Sequence, residues 1–202
     1  MFVRQKPIIF GIQGGKGSFN EEAILKYCKI KNIITYNIRY LYTTPRVLEA
    51  VENNDVDYGI FAIHNSIGGI VWESARALAV YKVNLLEEFY IDIKHYLMKR
   101  KDVNVSNLKK VIAHPQVFKQ CSKNMKKYYP HLKQIIGKGD YIDTAKAAEA
   151  LSKGLFSKDY AVLGPKSLSR LYNFDIVKSN LQDLKDNKTY FFVVTKYTMA
   201  GV

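Results

Sequence analysis

Short apolar runs and helix-like segments alternate along this chain. The runs have the length and composition of buried strands, and they are separated by segments of about ten residues in which apolar positions recur at helical spacing. Strands are predicted at residues 8–12, 34–41, 57–64, 86–98, 111–113, 135–136, 160–163 and 189–196. Because strands that alternate with helices are typical of βαβ units, the pattern predicts an α/β fold with parallel strand pairs.

The first helix is predicted to follow a glycine-rich loop, Gly14-Gly15-Lys16-Gly17. Ser18 and Glu21 have the spacing of a capping box, and apolar residues between 23 and 28 supply a buried face. A helix that begins at this loop presents unpaired amides and the positive end of its dipole there, which favours an anion. Other helices are predicted to begin at Thr44-Pro45, within 65–81, at Pro115, at Thr144 and after Pro165.

The loop lacks the motifs of nucleotide-binding loops. In a P-loop the lysine is followed by serine or threonine, whereas Lys16 is followed by Gly17, and the dinucleotide-binding fingerprint is absent too. Two interpretations of the loop therefore remain open. It binds a small anion such as a carboxylate, or it is a tight turn between a strand and a helix in which Lys16 is solvated.

The composition is compatible with one large domain or two small lobes, because 48% of the 202 residues are hydrophobic. No run of about 18 apolar residues occurs, so no membrane-spanning segment is expected. No small-residue cleavage site follows the first apolar run, so no signal peptide is expected either. Cys28 and Cys121 are far apart and lack metal-ligand spacing, which indicates a reducing compartment and a cytoplasmic location.

The formal net charge of +13 suits an anionic partner, such as nucleic acid, an acidic surface or an anionic substrate. The lysines are scattered along the chain, however, and surface charge by itself defines neither fold nor function. A solvated basic surface is the favoured interpretation, and nucleic-acid binding is the least favoured function.

Four short segments combine glycine, polar and aromatic residues in a fixed order. They are GGKGSFNEEA at 14–23, IHNSIGGIVWES at 63–74, AHPQVFKQC at 113–121 and NKTYFFVV at 187–194. In this order and at this spacing they resemble the motifs of the prephenate dehydratase family, and DTAKAAEAL at 143–151 resembles a helix of that family. The resemblance extends from about residue 8 to residue 196.

The resemblance implies an α/β fold of two periplasmic-binding-protein-like lobes with mixed β-sheets and a cleft between them. On this basis we expect one lobe to comprise residues 1–80 plus 170–202 and the other to comprise residues 81–169. Family members usually carry a C-terminal regulatory ACT domain that senses phenylalanine. The chain ends at Val202, directly after the catalytic region, so neither an ACT domain nor inhibition by phenylalanine is expected.

The resemblance also implies a reaction. Family members are lyases of phenylalanine biosynthesis that convert prephenate to phenylpyruvate with loss of water and carbon dioxide, and they use no metal or organic cofactor. Prephenate carries two carboxylates and a ring hydroxyl, so the site must hold both carboxylates and protonate the leaving hydroxyl. The catalytic threonine of the family matches Thr189, whose hydroxyl is expected to act as the general acid.

The expected substrate-binding residues come from the same motifs. They are Lys16, Gly17, Ser18, His64, Asn65, Ser66, Gln120, Tyr190 and Phe191. The polar side chains are expected to hydrogen-bond substrate oxygens, and the Gly17 and Ser18 amides, at a helix start, are expected to clamp a carboxylate. His95 and His114 are expected to have structural roles.

Three positions depart from the family pattern. His64 replaces a glutamate, Ala113 replaces a serine, and Tyr190 replaces an arginine that would grip a carboxylate with two parallel hydrogen bonds. Lys16 and His64 offer compensating positive charge. The resulting hypothesis is that the cationic grip has moved to Lys16, and that Lys16→Ala weakens substrate binding.

Several alternatives accompany this interpretation. The substrate is prephenate or its amino relative arogenate. A divergent prephenate decarboxylase would keep the hydroxyl, and a non-catalytic protein would only bind a small carboxylate on the same scaffold. Thr189 favours the dehydratase, and the small-molecule dicarboxylate is the expected partner. A homodimer is left open.

Overall fold

The computed structural model of the chain describes residues 6–198 and contains two β-sheets with flanking helices. The strands are β1 (Ile8–Ile12), β2 (Tyr36–Tyr40), β3 (Tyr58–Asn65), β4 (Gly69–Ile70), β5 (Val83–Asp92), β6 (Tyr96–Arg100), β7 (Lys110–Ile112), β8 (Lys133–Ile135), β9 (Tyr160–Gly164), β10 (Phe174–Lys178) and β11 (Lys188–Lys196). The helices are α1 (Phe19–Ile30), α2 (Thr44–Glu52), α3 (Trp72–Leu78), α4 (Pro115–Gln120), α5 (Ser122–Tyr128), α6 (Thr144–Ser152) and α7 (Ser167–Tyr172). Short 3-10 helices lie at Val105–Asn107 and Gly139–Ile142.

Both sheets are mixed. The first has the order β2-β1-β3-β11-β5, with β4 paired to β3; β1 is parallel to its neighbours, and β11 is antiparallel to its neighbours. The second has the order β10-β6-β9-β7-β8, in which β7 is parallel to β8 and β9 while β6 is antiparallel to β9 and β10. The predicted two-lobe α/β fold with mixed sheets is confirmed, whereas parallel pairs make up only part of each sheet.

The chain crosses between the sheets twice. The first crossing comprises residues 93–95 and the second comprises residues 179–187. Two backbone hydrogen bonds join the crossings: the Ile93 N–H donates to the Asn187 carbonyl at 2.7 Å, and the Leu181 N–H donates to the His95 carbonyl at 2.9 Å. The two crossing segments therefore run side by side between the sheets.

The crossings lie at other positions than expected. The predicted single strand 86–98 is in fact β5 and β6, which belong to different sheets. Its apolar pattern continues through the crossing because Ile91, Ile93 and Leu97 are all buried. Strand β5 therefore joins the first sheet and β10 joins the second, which displaces the expected lobe boundaries at 80/81 and 169/170. Residues 1–5 and 199–202, which we assigned to the first lobe, lie outside the described residues.

Helices cover the sheets and bury their apolar faces. In the first sheet Phe10, Phe61 and Phe191 are almost completely buried, and burial of such a side chain contributes about 1.5–3 kcal/mol. Against the second sheet, the alanine-rich helix α6 packs closely through its small buried residues. Helix α2 begins at Thr44, so Thr43 is its N-cap, one residue before the predicted position. Within the described residues, no helix has the length and apolar character needed to cross a membrane.

Candidate active site

A cavity of about 130 Å³ lies between the two sheets. Its wall combines residues of the first sheet and α1 with residues of α4, α6 and the segment before α6. One water molecule needs roughly 15 Å³ of such space, so the cavity is large enough for a small organic molecule. The two lobes thus form the cleft that the sequence predicts.

Half of the expected site residues line this cavity. They are Ser18, Asn65, Gln120, Thr189 and Phe191. The residues that do not line it are Lys16, Gly17, His64, Ser66 and Tyr190. Two local causes explain the second group: the alternation of side chains along strands, and the hydrogen bonds of the glycine-rich loop.

Alternation along β11 separates Tyr190 from its neighbours. Thr189 and Phe191 point to the face of the sheet that lines the cavity, and Tyr190 lies on the opposite face, with its ring 5.7 Å from that of His64. Neither Tyr190 nor His64 is therefore placed to touch a ligand in the cavity. The tyrosine at position 190, where the resemblance implies an arginine, therefore lies outside the cavity wall. Ala113 is fully buried in an apolar cluster and also lies outside the wall.

A β-bulge brings Asn65 into the cavity wall. The register between β11 and β3 shifts by one residue between Tyr190 and Phe191. Because of this shift, Asn65 and Ala62 both line the cavity although they are three positions apart. In a regular strand, residues at an odd separation would point to opposite faces.

The amides of the glycine-rich loop are already occupied. Ser18 Oγ accepts a hydrogen bond from the Glu21 N–H at 3.3 Å, which confirms the predicted cap. The Gly17 N–H donates to the Glu21 carboxylate at 2.7 Å, and the Ser18 N–H donates to the Gly15 carbonyl at 3.1 Å. These two amides therefore do not offer the carboxylate clamp that a helix start suggests.

The loop instead joins the first lobe to the second. The Gly15 N–H donates to Asp143 Oδ2 at 2.9 Å, and the Ser167 hydroxyl donates to the Gly17 carbonyl at 2.6 Å. Gly17 has φ +84°, and a Cβ atom there would lie 2.8 Å from Leu168. Glycine is thus needed both for the left-handed backbone and for the close approach of α7. The structure favours the tight-turn interpretation of the loop.

Lys16 is exposed and lies outside the cavity wall, so Lys16→Ala is expected to leave the Kd of a dicarboxylate within about twofold of the wild-type value. A solvated lysine contributes little to a ligand that it does not touch. Calorimetric titration with prephenate measures the effect, and Lys29→Ala, which removes another exposed lysine, is the control. A clear loss of affinity in Lys16→Ala but not in Lys29→Ala would support the hypothesis that the cationic grip has moved to Lys16.

Four buried polar side chains form a continuous hydrogen-bonded series beside the cavity, which we call the polar chain: Asn65, Asn187, Gln120 and His95. Asn65 Nδ2 donates to Asn187 Oδ1 at 2.7 Å. Asn187 Nδ2 donates to Gln120 Oε1 at 2.9 Å, and His95 Nε2 lies 2.6 Å from the same oxygen. The polar chain connects β3 of the first lobe and the two crossing segments to α4 of the second lobe.

Asn65 also determines which way the Thr189 hydroxyl can donate its hydrogen. Its Oδ1 accepts hydrogen bonds from the Ile67 and Gly68 amides at 2.9 and 2.7 Å, so its Nδ2 points the other way. That Nδ2 shares its two hydrogens among three oxygens: Thr189 Oγ1 and the Lys188 carbonyl, both at 2.9 Å, and Asn187 Oδ1 at 2.7 Å. Because Thr189 Oγ1 accepts from Asn65, its own hydrogen is available to an acceptor in the cavity.

The cavity wall is neutral to acidic. Burial lowers the pKa values of His95 and His114 to about 4, so both are uncharged near neutral pH. Burial raises the pKa of Asp143 to about 6 and also raises the pKa of Glu73. No lysine or arginine among residues 6–198 belongs to the wall. In the same residues, no group of histidine, cysteine, aspartate and glutamate side chains is arranged to hold a metal ion.

Three hydrogen-bond acceptors of the wall have no partner. They are Asn20 Oδ1, His95 Nδ1 and Gln116 Oε1, all buried and unpaired on the part of the chain that is described. A buried polar atom without a partner costs about 1–3 kcal/mol, so these three atoms beside the cavity are suited to accept hydrogen bonds from a ligand or from water.

Asn187 and Asp143 are two polar residues of this region that the sequence interpretation did not select. Asp143 caps α6, because its side chain accepts from the Lys146 N–H at 2.9 Å. An aspartate directly before a helix is a recognisable cap, so the sequence contained this signal. The contact of Asn187 with Gln120 spans 67 positions, and no local pattern indicates it.

Asp143 is expected to make stability pH-dependent. Its pKa is about 6 in the folded chain, against an ordinary value of 3.8, so the folded state binds more protons between these values and stability falls as the pH rises through this window. Asp143→Asn keeps the capping acceptor and removes the buried charge. It is expected to raise the unfolding free energy by about 1–2 kcal/mol near pH 7.5 and to change it little near pH 4.

Urea unfolding of both proteins at the two pH values measures this effect, and Asp159→Asn, at a more exposed ion pair, is the control. A lower stability of Asp143→Asn near pH 7.5 would mean that the amide hydrogen bonds to the carboxylate outweigh its burial.

Sequence similarity relates the chain to one enzyme family. It matches the family model described as prephenate dehydratase over residues 10–198. It is 32% identical over 194 residues to a prephenate dehydratase of Methanocaldococcus jannaschii, covering 95% of this chain and 65% of the relative. It is 27% identical over 187 residues to arogenate dehydratase 2 of Petunia hybrida, covering 91% of this chain and 44% of the relative. The chain thus spans between 44% and 65% of these relatives' length.

The fold has a similar counterpart among solved structures. The prephenate dehydratase of Arthrobacter aurescens, solved in complex with L-Phe, superposes with a TM-score of 0.77 at 20% identity. The superposition covers 95% of this chain and 61% of the other. At this identity the likeness shows a shared fold.

Proposed function

We propose, because the chain belongs to the prephenate dehydratase family, that it removes water and carbon dioxide from prephenate and releases phenylpyruvate. The family is one of lyases. The observation that carries the proposal is the hydroxyl of Thr189, which lines the cavity and accepts a hydrogen bond from Asn65. Its hydrogen is therefore available to the oxygen that leaves the substrate.

Two bonds of the substrate break in this reaction. The bond from the ring to its carboxylate breaks, its electron pair enters the ring, and carbon dioxide leaves. The carbon–oxygen bond to the ring hydroxyl also breaks, and the oxygen leaves as water after taking up one proton, which solvent supplies overall. An alcohol is a weak acid, so Thr189 contributes by donating a hydrogen bond where negative charge develops on the departing oxygen.

Gln120 supports the same step. Its Oε1 is occupied by Asn187 and His95, so its Nε2 remains as a donor beside the cavity. The described wall thus offers a substrate oxygen neutral donors from two lobes, one on β11 and one on α4. A ligand that bridges them would bind only when both lobes are in place.

A second candidate substrate is arogenate, the amino acid counterpart of prephenate, after which one relative is named. The acceptor-rich wall favours it: Glu73 and Asp143 carry carboxyl groups, Asn20 Oδ1 and Gln116 Oε1 lack partners, and no lysine or arginine of residues 6–198 lines the cavity. An ammonium group supplies three donors and a positive charge, both of which suit such a wall.

The test compares the two substrates. The purified chain is incubated with each, and phenylpyruvate or phenylalanine is measured together with carbon dioxide. Equal amounts of aromatic product and carbon dioxide support the proposed reaction. Carbon dioxide with a hydroxylated diene product would identify a decarboxylase, and binding without turnover would identify a binding protein. A preference of at least about tenfold in kcat/KM, or 1.4 kcal/mol, decides between the substrates.

We place this activity in phenylalanine biosynthesis in the cytoplasm. Cys28 and Cys121 are unpaired and buried in separate apolar clusters, one in each lobe. Thiols that remain free in this way fit a reducing compartment.

A further inference from the structure

Hydrogen-bond donation along the polar chain converges on Gln120 Oε1, from Asn65 through Asn187 on one side and from His95 on the other, and backbone groups determine this direction. The amides of Ile67 and Gly68 donate to one end of the Asn65 side chain. A backbone N–H can only donate, so this end is the oxygen and the opposite end is Nδ2. The orientation of Asn65 therefore does not depend on the side chains beyond it.

The direction passes from Asn65 through Asn187 to Gln120. Because Asn65 Nδ2 can only donate, the Asn187 atom 2.7 Å away is Oδ1. Asn187 Nδ2 then faces Gln120 at 2.9 Å, so the facing atom is Oε1. His95 Nε2 lies 2.6 Å from the same oxygen and must carry a hydrogen. His95 is therefore the Nε2–H tautomer, and its Nδ1 is an acceptor.

The direction of donation along the polar chain determines which donor and acceptor atoms face a ligand in the cavity. Gln120 is left with a donor, Nε2, and His95 is left with an acceptor, Nδ1, which has no partner on the described residues. If Gln120 were turned over, these two polarities would be exchanged. The turned amide would present an oxygen to the substrate oxygens that the donor now serves.

We propose that Asn187 is a positioning residue, which passes the direction of donation that is fixed at Asn65 on to Gln120 and His95. Asn187 is 1% exposed and is absent from the cavity wall, so it acts through Gln120 and His95 and not by touching the substrate. The effect that we expect on kcat rests on the proposed function. The effect that we expect on the tautomer of His95 is independent of that function.

Asn187→Asp tests this role with little change in shape. The new carboxylate still accepts from Asn65, but its second oxygen faces Gln120 Oε1 in place of a donor. Gln120 is expected to turn over and donate its NH₂ to the carboxylate and to His95. His95 Nε2 must then accept, which moves the hydrogen of His95 to Nδ1.

Nitrogen-15 NMR near neutral pH reads the tautomer directly. His95 is uncharged at this pH because burial lowers its pKa to about 4. We expect the Nε2–H form in the wild type and the Nδ1–H form in Asn187→Asp. His114 is an internal reference, because its Nδ1 accepts from the Gln116 amide at 3.2 Å and should stay bare in both proteins. The exposed His64 and His131 are assigned from their glutamine variants.

Kinetics supply a second readout. Asn187→Asp is expected to lower kcat about tenfold to a hundredfold near pH 8, the scale of one misdirected buried hydrogen bond. Towards acid pH the new carboxyl gains a proton and can donate to Gln120 again, so part of kcat should return. The nearby titratable groups are the neutral His95 and the exposed Asp186–Lys188 pair. Asn104→Asp makes the same chemical change at an exposed site and should change neither readout.

The outcomes separate this inference from the proposed function. An Nδ1–H tautomer in the wild type, or an unchanged tautomer in a folded Asn187→Asp protein, would overturn the positioning role. A tautomer that changes as expected in a chain that does not turn over prephenate or arogenate would support the positioning role and overturn the proposed function.

Discussion

Replacing Thr189 with alanine is expected to lower kcat on prephenate by about 10²–10⁴-fold, the range that a positioned proton donor contributes. Thr189 lines the cavity, and its hydroxyl hydrogen has no acceptor in the described part of the chain. The fold should tolerate the change. Asn65 Nδ2 retains two other acceptors, Asn187 Oδ1 and the Lys188 carbonyl, so no buried donor is left unpaired.

Further variants separate the hydroxyl from the shape of the side chain. Thr189→Val keeps the shape without the hydroxyl and should lose as much activity as Thr189→Ala, whereas Thr189→Ser should keep much of it. Thr195→Ala removes a threonine from the far end of β11, where its hydroxyl binds the Asp57 carbonyl, and should leave kcat unchanged. Turnover at the wild-type rate by Thr189→Val would exclude the hydroxyl from the mechanism.

Asn65→Asp is expected to be nearly as damaging, with a loss of about 10²–10³ in kcat. The new carboxylate still accepts the Ile67 and Gly68 amides, but its second oxygen faces Thr189 where a donor stood before. The Thr189 hydroxyl then donates to this carboxylate and its hydrogen no longer serves the cavity. The Lys188 carbonyl keeps the Ser66 N–H as a donor but then faces a buried carboxylate oxygen in place of Asn65 Nδ2, so the unfolding free energy should fall by about 1–3 kcal/mol.

Ser66→Ala is the matched control for Asn65→Asp. Ser66 is the next residue, it is exposed, and its Oγ accepts from the Lys188 N–H at 2.9 Å outside the cavity. It should cost about 0.5–1.5 kcal/mol of stability without changing kcat. Steady-state kinetics and urea unfolding of both variants measure these effects. An Asn65→Asp protein with normal turnover would show that Thr189 does not depend on Asn65.

Three of the expected site residues that line the cavity lie at the ends of regular elements: Thr189, Asn65 and Gln120. The sequence motifs indicate these positions, but the β-bulge that turns Asn65 into the wall cannot be predicted from the local pattern. The alternation of β11 also shows that Tyr190 cannot share a face with Thr189. The resemblance led us to select adjacent residues as one group, although a strand separates them onto opposite faces.

The partners of the Gly17 and Ser18 amides are local, since Glu21 and the Gly15 carbonyl lie within four positions of them, and the spacing of the capping box already indicated Glu21. Other features depend on contacts that no local pattern contains. The approach of α7 to Gly17 joins residues about 150 positions apart, as the Ser167 bond shows. The crossing after β5 cannot be predicted from the sequence for a different reason. The residues on both sides of it are buried, so the apolar pattern continues without a break from β5 to β6.

The two adjacent crossing segments have a mechanical consequence. Any rotation of one lobe relative to the other pivots on them, because they are the covalent connections between the sheets. His95 and Asn187 lie on this pivot and Thr189 follows it directly, so the reactive geometry shifts least when the lobes separate. Rotation would instead break contacts far from this pivot, among them the Gly15–Asp143 and Ser167–Gly17 hydrogen bonds. Substitutions that weaken these two contacts are therefore expected to change how fast a ligand enters, while His95, Asn187 and Thr189 keep their relative positions.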